Sequence, residues 1–200
     1  MIGKGKSISH GVAALEYDLA KEINGQAVAT EIARHELYGC TGAEMVQEMK
    51  PYHIDFPNVK NNCLRFEVSP SIEESATFTD ADWAELGNDF MQRMGLANHQ
   101  YIIIRHSGTE SKKEQAHLHI LANRVSLSGE LYRDHWIGKK ATEAANAIAK
   151  DRNFVQSQDI GKVNKAEIKE AMDGVLKQMQ GFDFTKFKEE LGKRGFKVRE

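Results

Sequence analysis

Residues His99 to Val125 read HQYIIIRHSGTESKKEQAHLHILANRV. Two strands joined by a loop fit this stretch. Tyr101 to Arg105 is a β-branched run that stops at His106. From His117 to Val125, Leu118 and Ile120 alternate with His117 and His119. Side chains in a strand alternate between faces, so His117 and His119 point one way and Leu118 and Ile120 the other. If the strands pair, His106 at the end of the first joins the other two histidines. Three imidazoles on one sheet face outline a metal site. A single strand histidine is more often a solvated or hydrogen-bonded side chain; the third histidine tips the balance toward ligation. Imidazole suits Zn, Mn, Fe, Ni or Cu, so spacing alone leaves the metal open.

The rest of the chain sets bounds on this site. Its 200 residues, 40% hydrophobic and 28% charged, suit a domain with a sizeable core. No run approaches the roughly 18 apolar residues of a membrane helix. Residues 1–11 lack a signal-peptide core. Two cysteines, Cys40 and Cys63, form no close motif and fit a reducing compartment. Net charge is −2 but unevenly spread. Residues 1–100 hold 8 Lys+Arg against 15 Asp+Glu, and residues 101–200 hold 19 against 14. The basic second half is where phosphate contacts are expected.

The coarse reading gives an edge strand in residues 1–6 and a helix over Ser9–Lys21, with Ser9 as its N-cap and Val12, Leu15 and Leu19 as its apolar stripe. Ile23–Ala33 carries helix formers. Thr41 caps a helix through Met49 that Pro51 stops. Asn62–Ser69 alternates as a strand, with Arg65 and Glu67 on its polar face. Thr79–Asp80 opens a helix whose Trp83, Leu86, Phe90 and Met91 are core, and Gly95 ends it. A helix from Gly138 to Lys150 follows, and two more helices split by Gly181 lie in residues 160–200. The composite is an α+β domain whose central antiparallel sheet carries the histidines and packs against helices. Trp136 suits base stacking but is expected in the core.

The run His106, then His117-Leu118-His119-Ile120, then Asn123-Arg124-Val125 resembles the three-histidine motif of the relaxase/mobilisation nucleases, the MobA/MobL-like enzymes. The upstream Tyr101–Arg105 and the Ser128-Gly129 turn also fit. The chain departs in its loop, Ser107 to Ala116, which is longer than the usual Asp-rich connection. That loop offers Glu110 and Glu114 but no Asp-x-Asp or Pro-His element.

The resemblance implies an HUH-endonuclease-like fold over residues 1–200, as the N-terminal nuclease domain of a longer protein. Its metal ligands would be His106, His117 and His119, holding Mn or Mg. Its nucleophile would be Tyr17, which from sequence alone reads as an amphipathic surface side chain. A phenol that attacks a phosphodiester keeps the cut end as a phosphotyrosine ester. With a free pKa near 10, it needs help at neutral pH. The implied reaction is a nick in one DNA strand at an origin of transfer, in the bacterial cytoplasm, with accessory mobilisation proteins as further partners and no membrane. DNA contacts would come from Arg105, Asn123, Arg124, Lys139 and Lys140. The alternatives are a rolling-circle initiator or transposase of the same chemistry, and a non-enzymatic DNA-binding domain with a structural metal.

Overall fold

The computed structural model describes residues 1–108 and 115–198, the side chain of residue 160 excepted. The acidic loop residues Glu110 and Glu114 lie outside the described residues. The chain groups into two compact units, Met1–Gln156 and Ser157–Glu200.

The first unit runs β1 (Ile2–Ile8), α1 (Gly11–Leu19), β2 (Glu22–Ile23), β3 (Gln26–Ala27), β4 (Ala29–His35) and α2 (Gly42–Met49). A 3₁₀ turn (Lys50–His53), β5 (Cys63–Ser69), α3 (Ile72–Ser75) and α4 (Asp80–Arg93) follow. Then come β6 (His99–His106), β7 (His117–Ser126) and α5 (Ile137–Asp151). Five strands form one sheet in the order β1-β5-β7-β6-β4, with antiparallel neighbours throughout. The expected α+β architecture is present, and the histidine strands lie inside the sheet.

Both sheet faces are covered. On one, Leu64, Phe66, Ile103, Leu118 and Ile120 pack with Trp83, Leu86 and Phe90 of α4 and Ala141, Ala145 and Ile148 of α5. On the other, Ile8, Cys63, Ile102, Ile104 and Leu121 pack with Leu15 of α1 and Met45, Val46 and Met49 of α2. Each fully buried Leu, Ile or Phe contributes about 1.5–3 kcal/mol relative to exposure. Two-sided burial explains why Ile102, Ile103 and Ile104 run without polar alternation.

The edge strand β1 needs its glycines. A Cβ at Gly3 would lie 2.4 Å from the Ala141 carbonyl oxygen, and one at Gly5 2.8 Å from the Phe66 ring. Without those side chains α5 lies directly against β1, and Thr142 Oγ1 donates to the Gly3 carbonyl at 3.1 Å.

Local signals explain several boundaries. Thr41 with Glu44 and Thr79 with Asp82 form capping boxes at the starts of α2 and α4. Gly95, at φ 72°, ends the segment after α4. Four expectations are corrected. Residues 23–33 are no helix; Asn24 and Gly25, both at positive φ, turn the β2–β3 hairpin, and β4 pairs with β6 across a bulge between Glu31 and Ala33. Ser9 is no cap, since α1 starts at Gly11 after His10 without a side-chain cap. The buried stripe of α1 is Gly11, Ala14, Leu15 and Asp18, while Val12 is exposed. Trp136 is 69% exposed rather than in the core.

The second unit contains α6 (Ser157–Gln178) and α7 (Phe184–Lys193). Its small core is Ala171, Val175, Phe187 and Leu191. Asp183 caps α7 by accepting from the Lys186 amide. Among the described residues no helix is long and apolar enough to cross a membrane.

Candidate active site

Strand pairing assembles the histidines. His106 lies opposite His117, and Ile104 opposite His119, in the β6–β7 ladder. The three side chains share the sheet face that α1 and α2 cover in part. Their possible ligand atoms all lie within 4.8 Å of one another. Ring centroids are 4.4 Å apart for His106 and His119 and 4.9 Å for His117 and His119.

The hydrogen bonds fix which nitrogens remain for a ligand. His106 Nε2 faces the Asp18 carbonyl at 2.7 Å, and His117 Nδ1 faces the Gln115 carbonyl at 3.1 Å. A carbonyl only accepts, so those nitrogens carry the protons and donate. His106 Nδ1 and His117 Nε2 are left with lone pairs. Metal-bound histidines characteristically donate their other N–H in this way. His117 Nε2 and His119 Nε2 are 3.1 Å apart. Two nitrogens bound to one ion at about 2.1 Å stand roughly 3.0–3.4 Å apart, so the pair fits a shared divalent metal.

Burial favours the neutral form of two of the imidazoles, the form a ligand must have. Burial pushes the pKa of His106 below the ordinary imidazole value. His119 is pushed down to about 2, by burial first and then by His106, His117 and Arg65.

Helix α1 brings the remaining parts. Its last turn carries Tyr17 and Asp18, which point about 100° apart around the helix. Asp18 is 2% exposed and faces the sheet; Tyr17 is 57% exposed at the rim. Arg65 from β5 donates to the Asp18 carboxylate through Nε at 3.0 Å and Nη2 at 2.5 Å. Burial nevertheless raises the Asp18 pKa, with Arg65 opposing it. Asp18 Oδ1 is 3.9 Å from His119 Nδ1, and Arg65 Nη2 is 3.4 Å from the same nitrogen. Lys21 Nζ donates to Tyr17 Oη at 2.8 Å, four residues on. Beside His119 opens a cavity of about 210 Å³ lined by Lys4, Lys6, Arg65 and Glu67 with Gly5 and Phe66. Glu67 pairs with Lys4 at 2.8 Å.

The residues expected on DNA do not gather here. Arg105 is on the opposite face, bound to Asp80. Asn123 is fully buried; its Oδ1 accepts from the Val125 amide at 3.0 Å and its Nδ2 donates to Gln100 at 2.9 Å. It is a structural side chain, because a buried amide must be satisfied within the protein. Arg124 braces the following turn through Asp134 at 2.7 Å and the Tyr132 carbonyl at 3.1 Å. Lys139 and Lys140 sit on α5, across the sheet from the histidines. His99, not read as a ligand, is buried and donates through Nδ1 to the Asn123 carbonyl at 2.9 Å. Sequence reading missed Asp18, Lys4 and Lys6. For Asp18 a signal existed: with Gly11, Ala14 and Leu15 it completes an i, i+3, i+4, i+7 stripe, and an acid at a core position calls for a partner.

The family model for the relaxase, MobA/VirD2-like nuclease domain matches residues 17–154. This chain belongs to that relaxase family. The matched range opens on Tyr17, takes in all three histidines and falls within the first unit. Among solved structures, the relaxase domain is similar to a conjugative relaxase, TrwC, in complex with oriT DNA in a metal-bound structure. That likeness has 12% identity and a TM-score of 0.46, covering 80% of this chain and 70% of the other. No curated protein matches the chain.

Proposed function

We propose that this relaxase-family chain nicks one DNA strand at an origin of transfer and stays attached through Tyr17. The observation that carries this reading is the Asp18 carbonyl bonded to His106, which ties the residue after Tyr17 to the histidine cluster.

In this reading Tyr17 Oη, exposed at the rim, gives its proton to solvent and attacks the scissile phosphorus. The new bond is a 5′-phosphotyrosine ester, the bond to the 3′ oxygen breaks, and that oxygen takes up a proton. Lys21, 2.8 Å from Tyr17 Oη, supports the negative charge of the attacking phenol oxygen. His106, His117 and His119 would hold a divalent ion, Mn or Mg, which when bound polarises the scissile phosphate. Asp18 holds α1 on the sheet and faces His119 Nδ1. Arg65 Nη2, a donor only, is 3.4 Å from His119 Nδ1, so in the metal-free protein the His119 proton sits on Nε2 against His117 Nε2 and must leave that nitrogen when it takes an ion. Lys4, Lys6 and Arg65 supply cations for phosphates next to the cut.

A purely structural metal is supported less well. Among the described residues the cluster contains three possible ligands and no fourth, which suits an open, catalytic coordination sphere. Single-stranded origin DNA is the proposed partner, with accessory mobilisation proteins, in the bacterial cytoplasm. Both units together are proposed as one nuclease domain.

The test uses single-stranded origin-like oligonucleotides with Mn or Mg, resolved on a denaturing gel. Wild type is expected to form a covalent adduct. Tyr17→Phe and the double variant His117→Ala/His119→Ala are expected to form none. An adduct that survives in both variants would sink the reading.

A further inference from the structure

We infer that Trp136 is a stacking subsite for an unpaired base, on a track that leads away from the histidine cluster over the edge of the sheet. The inference rests on the reading of the chain as a nuclease of single-stranded DNA and extends it to a surface remote from the cut.

Trp136 is 69% exposed, whereas Trp83, the other tryptophan, is 2% exposed. It stands at φ 57°, a left-handed conformation that a bulky side chain rarely adopts. The surrounding turn holds it there. Arg124 anchors Asp134, the Asp134 carbonyl accepts from the Ile137 amide at 3.0 Å, and the Trp136 carbonyl accepts from the Lys140 amide at 3.0 Å. The protein thus fixes an indole in solvent.

The indole is framed by charge rather than by aliphatic side chains. A cavity of about 310 Å³ is lined by Trp136, Lys139, Lys140 and Glu143. Lys139 shares its charge with Glu143 at 3.8 Å, and Lys140 donates to the Arg133 carbonyl at 2.8 Å and lies 4.9 Å over the Tyr132 ring. His135 meets the indole edge to face at 5.0 Å between centroids. An aromatic face between cations suits a nucleotide, whose base stacks and whose phosphate pairs.

The start of α5 lies against the edge strand that borders the candidate active site. The cavity beside His119 reaches Lys4, Gly5 and Lys6 on β1, the outermost strand of the sheet. A Cβ at Gly138, two residues beyond Trp136, would lie 3.5 Å from the Gly5 carbonyl oxygen. The first turn of α5 therefore meets β1 at Gly5, between Lys4 and Lys6, which line the cavity beside His119. A strand leaving His119 over Lys4 and Lys6 arrives at the first turn of α5. The occupant is single-stranded, because a duplex keeps its bases inside the stack and offers none to an indole.

The experiment titrates the full chain with a thymidine 20-mer and with a 20-base-pair duplex, and reads tryptophan emission and affinity. Buried Trp83 is the internal reference. The single strand is expected to quench Trp136 and the duplex to leave it unchanged. Trp136→Ala is expected to weaken single-strand binding by roughly 5- to 150-fold, the range found for one stacked base. Trp136→Phe is expected to restore most of it. Unquenched emission at saturation in wild type, or full affinity in Trp136→Ala, would overturn the proposal and leave the indole to a protein partner. The Tyr17 adduct separates the two readings. An adduct without quenching removes only the stacking subsite. Quenching with no adduct on any origin-like strand removes the nuclease reading.

Discussion

The main-chain carbonyl of Asp18 accepts from His106 Nε2 at 2.7 Å, and the Asp18 side chain turns to Arg65 and His119. One residue thus fixes the orientation of one histidine through its backbone and faces another through its carboxylate. Because Asp18 follows Tyr17, the same contacts set where the phenol sits. Replacing Asp18 by Asn keeps the shape and removes the charge. Mn²⁺ affinity, measured by calorimetry, is expected to fall by about 10- to 100-fold, the usual cost of losing an outer partner of a ligating histidine. Unchanged affinity would reduce Asp18 to a packing role.

Lys21, two residues past the end of α1, reaches Tyr17 Oη and also lies 5.0 Å from the ring centroid. Lys21→Met keeps the stem and removes the charge. The rate of adduct formation with saturating DNA is expected to drop by about 100- to 1,000-fold, as for loss of one group that stabilises developing charge. Burst kinetics of the gel-resolved adduct measure it.

Stability of the metal-free protein is expected to fall as pH drops from 8 to 5. His99, His106 and His119 all have pKa values lowered by burial. In the unfolded chain they titrate near 6.5, so below that pH the unfolded state binds more protons. The slope is up to about 1.4 kcal/mol per pH unit for each such histidine. Asp18 has the opposite sign: its raised pKa makes the native state take up that proton first, which offsets part of the loss at the acid end. Thermal melts across the range give the slope, and a flat profile would mean that these rings are solvated.

Gly3→Val tests the packing of β1 on α5. The new Cβ meets a helix carbonyl at 2.4 Å and Ala145 Cβ at 2.6 Å, and neither is the end of a flexible side chain. Urea unfolding is expected to show a loss of about 1–3 kcal/mol. Mn²⁺ affinity is expected to hold, because Gly3 faces the layer opposite the histidines.

What was legible in the sequence follows the physics of each segment. The parity of His117 and His119 is set by the two-residue period of a strand, and pairing with the preceding strand, which ends at His106, brings in the third histidine. The capping boxes at Thr41 and Thr79 are local and were readable. In residues 23–33 helix formers such as Glu31 and Ala33 mask the strand, because pairing of β4 with β6 overrides local propensity; Asn24-Gly25 is the local signal for the hairpin. The residues expected on DNA lie away from the histidines for another reason. Asn123 sits in the motif, but its position in the β7 ladder points it inward, to Gln100 and the Val125 amide. Arg65 was legible only as a polar-face residue, since its partner Asp18 lies 47 positions away in sequence.

The most direct test of the central claim is peptide mapping of the covalent protein–DNA adduct by mass spectrometry. The chain has five tyrosines, and Tyr38 is more exposed than Tyr17, at 75% against 57%. The expected result is a nucleotide on the peptide carrying Tyr17 and on no other. A nucleotide on Tyr38 or another tyrosine, or cleavage that leaves no nucleotide on the protein, would contradict it.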